Sequence, residues 1–137
     1  MTPGEIEEAR AELRRAEHAL AEARLLLDAV SLEGAASRLY YSVFHATRAA
    51  LLVRGLSAKT HSGQIALFSE AYGPAPVLAR LLELRARADY ELGEVTLARE
   101  TIGRHLADAE RFLARCANTV EEASARGPDE PDPPPDL

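Results

Sequence analysis

The sequence predicts an all-α protein, built as an antiparallel up-and-down bundle of four to five helices. Apolar residues recur at alternating steps of three and four over three long stretches, which is the spacing of one helix face. No stretch alternates apolar and polar residues in the manner of a strand. Glycine and proline separate the helical stretches, and a chain that is 47% apolar and 28% charged is typical of a single globular domain.

The first helix is predicted from its opening residues. Thr2 is suited to the N-cap, Pro3 to the first helical position, and Glu5 completes a capping box. The helix is expected to run to about Val30. One apolar stripe follows it, comprising Ile6, Ala9, Leu13, Ala16, Leu20, Ala23 and Leu27.

Three further helices are predicted between helix-breaking residues. The second covers residues 31–54, with Ser31 as its N-cap and Gly55 as the residue that ends it. The third covers about 61–72 and the fourth about 76–90, and a Gly-Pro pair and a second proline separate the two.

The last helix is expected after a break at Gly93, because its apolar stripe extends from Val95 to Val120. Five of the final eleven residues are prolines, which a helix cannot accommodate. The chain is therefore divided into a helical bundle over residues 1–125 and a disordered, acidic, proline-rich tail over 126–137.

The final eleven residues carry four carboxylates and no base, so the rest of the chain has a net charge of −2 although the whole has −6. An arginine-rich body so close to neutrality is compatible with a local phosphate-binding patch.

Composition excludes several classes of protein. One cysteine, Cys116, allows neither an intrachain disulfide nor a cysteine-rich zinc site, and the spacing of the four histidines fits no metal site, so no cofactor is expected. The sequence has no apolar run long enough to span a bilayer, and its acidic start is unlike a signal peptide, so we expect a cytoplasmic protein. Fifteen of sixteen basic residues are arginine, a usage that suits a GC-rich, thermophilic source.

The second helix concentrates the side chains that are suited to chemistry. Arg38, Tyr41 and His45 are spaced to share one helix face, where they are able to bind a phosphate and transfer protons. The structural alternative is that Tyr40 and Phe44 belong to the core and that His45 is a partly buried, hydrogen-bonded side chain.

The turn before the third helix offers a second site. Lys59 and His61 flank a helix N-terminus, which favours an anion. The alternative is that Thr60 simply caps this helix.

The end of the fourth helix offers a third candidate site. Arg85 and Asp89 stand at i and i+4, next to Tyr90. One interpretation is an ordinary helix ion pair between them. The other is that the carboxylate orients the arginine so that it binds a phosphate.

Taken together, these three motifs resemble the HEPN family (higher eukaryotes and prokaryotes nucleotide-binding domain). Its prokaryotic branch carries a Tyr-Tyr-x-x-Phe-His helix, a Lys-Thr-His-x-Gly turn and an Arg-x-x-Ala-Asp-Tyr segment. The corresponding segments here are 40–45, 59–63 and 85–90, in the same order. The resemblance extends from the first helix to about Val120.

The resemblance implies a homodimeric helical bundle that binds nucleotide or RNA and acts with a small nucleotidyltransferase in a toxin–antitoxin-like pair. From the residues themselves, the candidate phosphate-binding set is Arg38, Tyr41, Lys59, Thr60 and His61. In ribonuclease members of the family, an arginine followed by four to six residues and a histidine forms the active site. Here the corresponding positions after the arginine of the third motif hold Tyr, Glu and Leu.

Two alternatives to the binding component stay open. One is a metal-independent ribonuclease with a non-standard site made from Arg85, Asp89, Tyr90 and His45. The other is a noncatalytic helical dimer that serves as a platform.

Overall fold

The computed structural model describes residues 2–90, 97–126 and 134–135. Within these ranges the chain forms five α-helices and no strand, which confirms the predicted class. The helices are α1 (Pro3–Asp28), α2 (Leu32–Leu52), α3 (His61–Tyr72), α4 (Pro76–Tyr90) and α5 (Arg99–Ala125). The predicted break at Gly93, the predicted start of the last helix at Val95 and all but two residues of the predicted tail lie outside the described residues.

Helix α1 begins as predicted and ends two residues early. The Oγ1 atom of Thr2 accepts a hydrogen bond from the backbone N–H of Glu5 at 3.2 Å. The helix ends at Asp28 because Val30 adopts a left-handed conformation with φ 57°, which turns the chain toward α2. Most of the predicted stripe is buried, namely Ile6, Ala9, Ala16, Leu20 and Ala23.

Helix α2 lies at the centre of the bundle and contacts all four other helices. Five buried alanines, whose small side chains allow neighbouring helices to approach closely, lie along it: Ala35, Ala36, Ala46, Ala49 and Ala50. Two details differ from the prediction. Ser31 occupies the N-cap position but its side chain makes no capping hydrogen bond, and the helix ends at Leu52 rather than Arg54. Gly55, with φ 70°, completes the turn that follows.

Helices α1, α2 and α5 pack side by side, and α1 is antiparallel to both of the others. Side-chain pairs across the interfaces fix this order, because residues early in one helix meet residues late in the next. The pairs are Glu12–His45 and Glu22–Arg38 between α1 and α2, and Arg10–Glu121 and Arg24–Glu110 between α1 and α5.

Helices α3 and α4 cover the remaining side of α2. The hydroxyl of Tyr72, at the end of α3, donates a hydrogen bond to the backbone carbonyl of Ala50 in α2. Phe68 packs its ring 5.4 Å from that of Phe112 in α5. Helix α4 lies against α2 and α5, and this packing sets the position of Arg85. None of the helices described is both long enough and apolar enough to cross a membrane.

Candidate functional site

A cluster of aromatic and arginine side chains forms where α2, α3 and α4 meet. We define the aromatic–arginine cluster as Arg38, Tyr40, Tyr41, His61 and Arg85. The Arg85 guanidinium lies 4.9 Å from the centre of the Tyr41 ring and 5.5 Å from that of Tyr40. The Arg38 guanidinium lies 4.8 Å from the Tyr41 ring centre. Two cations thus contact one phenol ring, an arrangement that holds both guanidinium groups in place.

Tyr40 links this cluster to α3. Its ring is almost completely buried, and its hydroxyl is hydrogen bonded to Nδ1 of His61. Burial raises the pKa of Tyr40 to about 12, although Arg85 opposes this shift. The phenol therefore stays neutral at physiological pH, and its hydroxyl and Nδ1 of His61 share one hydrogen bond. The Phe44 ring fills the space between this pair and His45, with ring centres 5.1 Å from His61 and 5.3 Å from His45.

A groove lies between α1 and α2, and its volume is about 640 Å³. Its charge is mainly positive, because three arginines and only one carboxylate line it, beside two histidines. We call it the α1–α2 groove, and its lining residues are Ala11, Arg14, Arg15, His18, Ala19, Glu22, Arg38, Tyr41 and His45. The volume falls in the range of small-molecule sites, and arginine suits the recognition of phosphate.

Glu12, a buried carboxylate on α1, pairs with two residues that line this groove, Arg15 and His45. Only 6% of its side chain is exposed, and its Oε2 lies 2.7 Å from Nδ1 of His45. Its Oε1 lies 2.9 Å from the Arg15 guanidinium and 3.9 Å from that of Arg48. A buried carboxylate is costly unless it is paired, and these three partners supply the pairing.

The structure brings five of the predicted site residues close to one another around α2. Arg38, Tyr41 and His45 line the α1–α2 groove, while Arg85 and His61 contact Tyr40, the chain neighbour of Tyr41. The structural alternative for α2 also holds in part, since Tyr40 is in the core and His45 is hydrogen bonded.

Two of the remaining predicted residues lie at the start of α3. Thr60 caps α3, accepting a hydrogen bond from the N–H of Gly63 at 2.9 Å, and Lys59 is an exposed residue in the preceding turn. The side chains of Asp89 and Tyr90 lie outside the part of the chain that the structure describes.

Sequence reasoning missed the contribution of α1 to the site. Arg14, Arg15, His18 and Glu22 line the groove, and Glu12 orients His45. One signal was available, because Glu12 falls three residues after Ala9 and four before Ala16. A carboxylate within an apolar stripe must be buried and therefore paired with a cation.

Metal ligands do not cluster in the described ranges, where no group of three His, Cys, Asp or Glu side chains is arranged to hold an ion. The site present is instead one of arginine, imidazole and phenol groups around a groove.

Fold and site together define a small all-helical protein with a cationic groove between its first two helices. Within that class its family is established by sequence. A sequence model of the HEPN domain matches residues 9–120, and the chain belongs to the HEPN domain family.

Several relatives match over much of the chain. A UPF0332 protein of Thermotoga maritima is 33% identical over 80% of this chain and 88% of that protein. A Methanocaldococcus jannaschii protein, named "Putative toxin MJ0605", is 30% identical over 85% of this chain and 91% of its own length. The UPF0332 protein glr0978 of Gloeobacter violaceus is 44% identical over a shorter match, which covers 46% of this chain and 52% of that protein.

Proposed function

We propose that this HEPN-domain protein is the toxin-like component of a two-protein system and that it binds a nucleotide or RNA in the α1–α2 groove. The observation that carries the proposal is the groove itself, where Arg14, Arg38, Tyr41 and His45 converge from two helices. Guanidinium groups pair with phosphate oxygens bidentately, and imidazole and phenol supply further hydrogen bonds. The relative whose name designates it a toxin supports the toxin-like part of the proposal.

The aromatic–arginine cluster adjoins the groove. Arg38 belongs to both, and its guanidinium contacts Tyr41 at the edge of the groove. Since Arg85 contacts the same ring, a phosphate near Tyr41 is close to positive charge from both α2 and α4. Binding of this kind requires neither a metal nor a cofactor.

The partner in this proposal is a small nucleotidyltransferase, and the active form is a homodimer in the cytoplasm. The expected phenotype is slowed growth when the chain is expressed alone and normal growth when the transferase is expressed with it. Growth curves of the two strains and co-purification of the two proteins would test this. Slowed growth that persists with the partner present would count against the pairing.

Binding is tested by fluorescence anisotropy with a short single-stranded RNA, and by calorimetry with ATP. A double variant, Arg14→Ala with Arg38→Ala, removes two cations of the groove. The matched control, Arg87→Ala with Arg104→Ala, removes the same charge from exposed positions on α4 and α5 that do not line the groove.

We expect the groove variant to bind at least about tenfold more weakly, since one charge-assisted hydrogen bond to phosphate is worth about 1.4 kcal/mol or more. The dependence of its affinity on salt should also weaken, by about 0.7 in the log–log slope for each phosphate that the variant no longer neutralises. The control should retain wild-type affinity within about twofold. Equal reductions in both variants would refute the groove as the site, and a failure of the wild type to bind either ligand would favour the platform alternative.

A further inference from the structure

A separate cavity, of about 290 Å³, lies where the turn between α3 and α4 meets α5. We call it the α4–α5 cavity and define it by Arg80 on α4 and by Asp108, Arg111 and Arg115 on α5. None of the residues that line it lines the α1–α2 groove or belongs to the aromatic–arginine cluster. The functions considered so far therefore leave this cavity unexplained.

Positive charge predominates in the α4–α5 cavity, because three arginines and one carboxylate line it. The carboxylate of Asp108 pairs with the guanidinium of Arg111. Arg80 has no ion-pair partner among the carboxylates that the structure describes. Like charges that share a cavity repel one another, and a bound anion reduces this repulsion. The charges are therefore suited to an anionic ligand.

Arg115 is held in place by two contacts with α3. Its guanidinium donates a hydrogen bond to the backbone carbonyl of Tyr72 at 2.9 Å and lies 5.3 Å from the centre of the Phe68 ring. Neither contact cancels its charge. Helix α4 begins at the cavity with Pro76, so the positive end of its dipole adds to the same potential. An anion thus meets a cation whose position is fixed before binding.

Apolar side chains also line the cavity, among them Pro74, Pro76 and Val77 near the start of α4 and Phe112 on α5. Because proline fixes φ, this part of the lining is held in one backbone conformation. The volume is close to the lower end of the range for small-molecule sites. A ligand that matches both parts of the lining is therefore compact and carries an oxyanion on an apolar group.

His105, one turn before Asp108 on α5, responds to the charge in the cavity. Its Nδ1 is buried and makes no hydrogen bond within the described part of the chain. Burial lowers the pKa of His105; Asp108 opposes this shift, and Arg80 and Arg104 add to it. Since Arg80 and Asp108 both line the cavity, an anion bound there should raise the pKa of this imidazole.

We infer that the α4–α5 cavity binds a small phosphomonoester, with its phosphate at Arg80, Arg111 and Arg115 and its apolar group against the prolines. Phosphate suits these cations better than a carboxylate does, because its tetrahedral oxygens accept hydrogen bonds from guanidinium groups on two helices at once. The inference goes beyond the proposed function, because the cavity and the α1–α2 groove have no residue in common.

The test is an NMR titration of the full chain with phenyl phosphate, which joins a phosphomonoester to one compact ring. The Cε1–H signal of His105 reports on the cavity and that of His18 on the α1–α2 groove. Inorganic phosphate lacks the ring and benzoate lacks the phosphate, so the two compounds serve as comparison ligands. Arg80→Ala removes an exposed cation of the cavity, and Arg87→Ala, the matched control, removes one from the same helix that lines neither site.

We expect phenyl phosphate to shift the His105 signal and to raise the pKa of His105, because the bound anion stabilises the imidazolium. Arg80→Ala should weaken this binding about tenfold, since it removes a charge-assisted hydrogen bond to the phosphate. Arg87→Ala should bind within about twofold of wild type. Inorganic phosphate and benzoate should both bind more weakly than phenyl phosphate. Circular dichroism checks that each variant is folded.

A His105 signal that does not respond to phenyl phosphate would overturn this inference. Equal losses of affinity in Arg80→Ala and Arg87→Ala would do the same, as would a response of His18 alone, which places the ligand in the groove. Benzoate that binds as tightly as phenyl phosphate would overturn the assignment to a phosphomonoester. None of these results decides whether the groove binds RNA, so the proposed function stands or fails by its own test.

Discussion

The start of helix α3 provides a sharp test of the local energetics, because its cap and its first-turn glycine depend on each other. Oγ1 of Thr60 accepts a hydrogen bond from the N–H of Gly63 at 2.9 Å. A Cβ atom placed on Gly63 would lie 2.7 Å from that same oxygen. Alanine at position 63 therefore requires the Thr60 side chain to shift, which weakens the cap.

The expected free energies follow from this conflict. Thr60→Ala removes the cap, at a cost of about 1 kcal/mol. Gly63→Ala gains about 1 kcal/mol of helix propensity but displaces the cap, so its net effect should be close to zero or unfavourable. In the Thr60→Ala background, the Cβ of alanine at position 63 would lie 3.6 Å from the Cβ of Ala58, which is an ordinary contact. Gly63→Ala should then raise the free energy of unfolding by the full amount of about 1 kcal/mol.

The assay is a double-mutant cycle measured by urea unfolding and by thermal melting. A coupling free energy of about 1 kcal/mol is expected, which corresponds to about 3–4 °C in Tm for a chain of this size. Thr60→Ser is the control, since serine retains the capping oxygen and should leave stability nearly unchanged. If Gly63→Ala raises Tm equally in both backgrounds, the cap does not contribute as argued. The outcome also bears on the site, because His61, bonded to Tyr40, is the first residue of this helix.

Four further predictions concern buried or conformationally restricted residues. Burial raises the pKa of the Cys116 thiol to about 12, so a thiol reagent at about pH 8 should not modify the native protein. In denaturant the same reagent should label one thiol per chain. Rapid labelling of the native form would contradict this prediction. Tyr40→Phe keeps the packed ring but removes the hydrogen bond to His61. Urea titration should show that the free energy of unfolding falls by about 0.5–1.5 kcal/mol. Burial lowers the pKa of His105 below its usual 6.5, so the unfolded chain takes up this proton more readily; stability should fall as pH drops below 6.5, and His105→Gln should flatten that slope. Parallel stability curves for the two proteins would refute the assignment. Gly55→Ala places a side chain at φ 70° with no neighbour within 4 Å to compensate, so Tm should fall by the equivalent of about 1 kcal/mol.

Much of the fold is predictable because it depends on contacts within a few residues. The opening Thr2 and Pro3 specify where α1 starts through local hydrogen bonding and a fixed φ. The start of α3 follows from Thr60 in the same way. Errors appear where the helix end depends on how the chain turns toward its neighbour, as at Val30, whose left-handed conformation ends α1 early.

The candidate site was predictable only on the helix that carries its motifs. Arg38, Tyr41 and His45 lie one turn apart, so their shared face follows from helical geometry alone. The approach of Arg85 to Tyr41 joins residues of two helices, and no local pattern specifies it. The sequence hypothesis grouped Arg85 with Asp89, Tyr90 and His45 instead, and it rested on family resemblance rather than on geometry.

Local chemistry in the sequence thus determined the helical class, the stripes that form the core and one face of the site. Only the tertiary structure decided what stands opposite that face. Glu12 meets His45 because α1 and α2 pack antiparallel, which brings together two residues 33 positions apart in the chain. The offset between the helices depends on the sum of many small apolar contacts along alanine-rich surfaces, and no single residue encodes it. The groove, its charge and the orientation of the His45 imidazole follow from that offset.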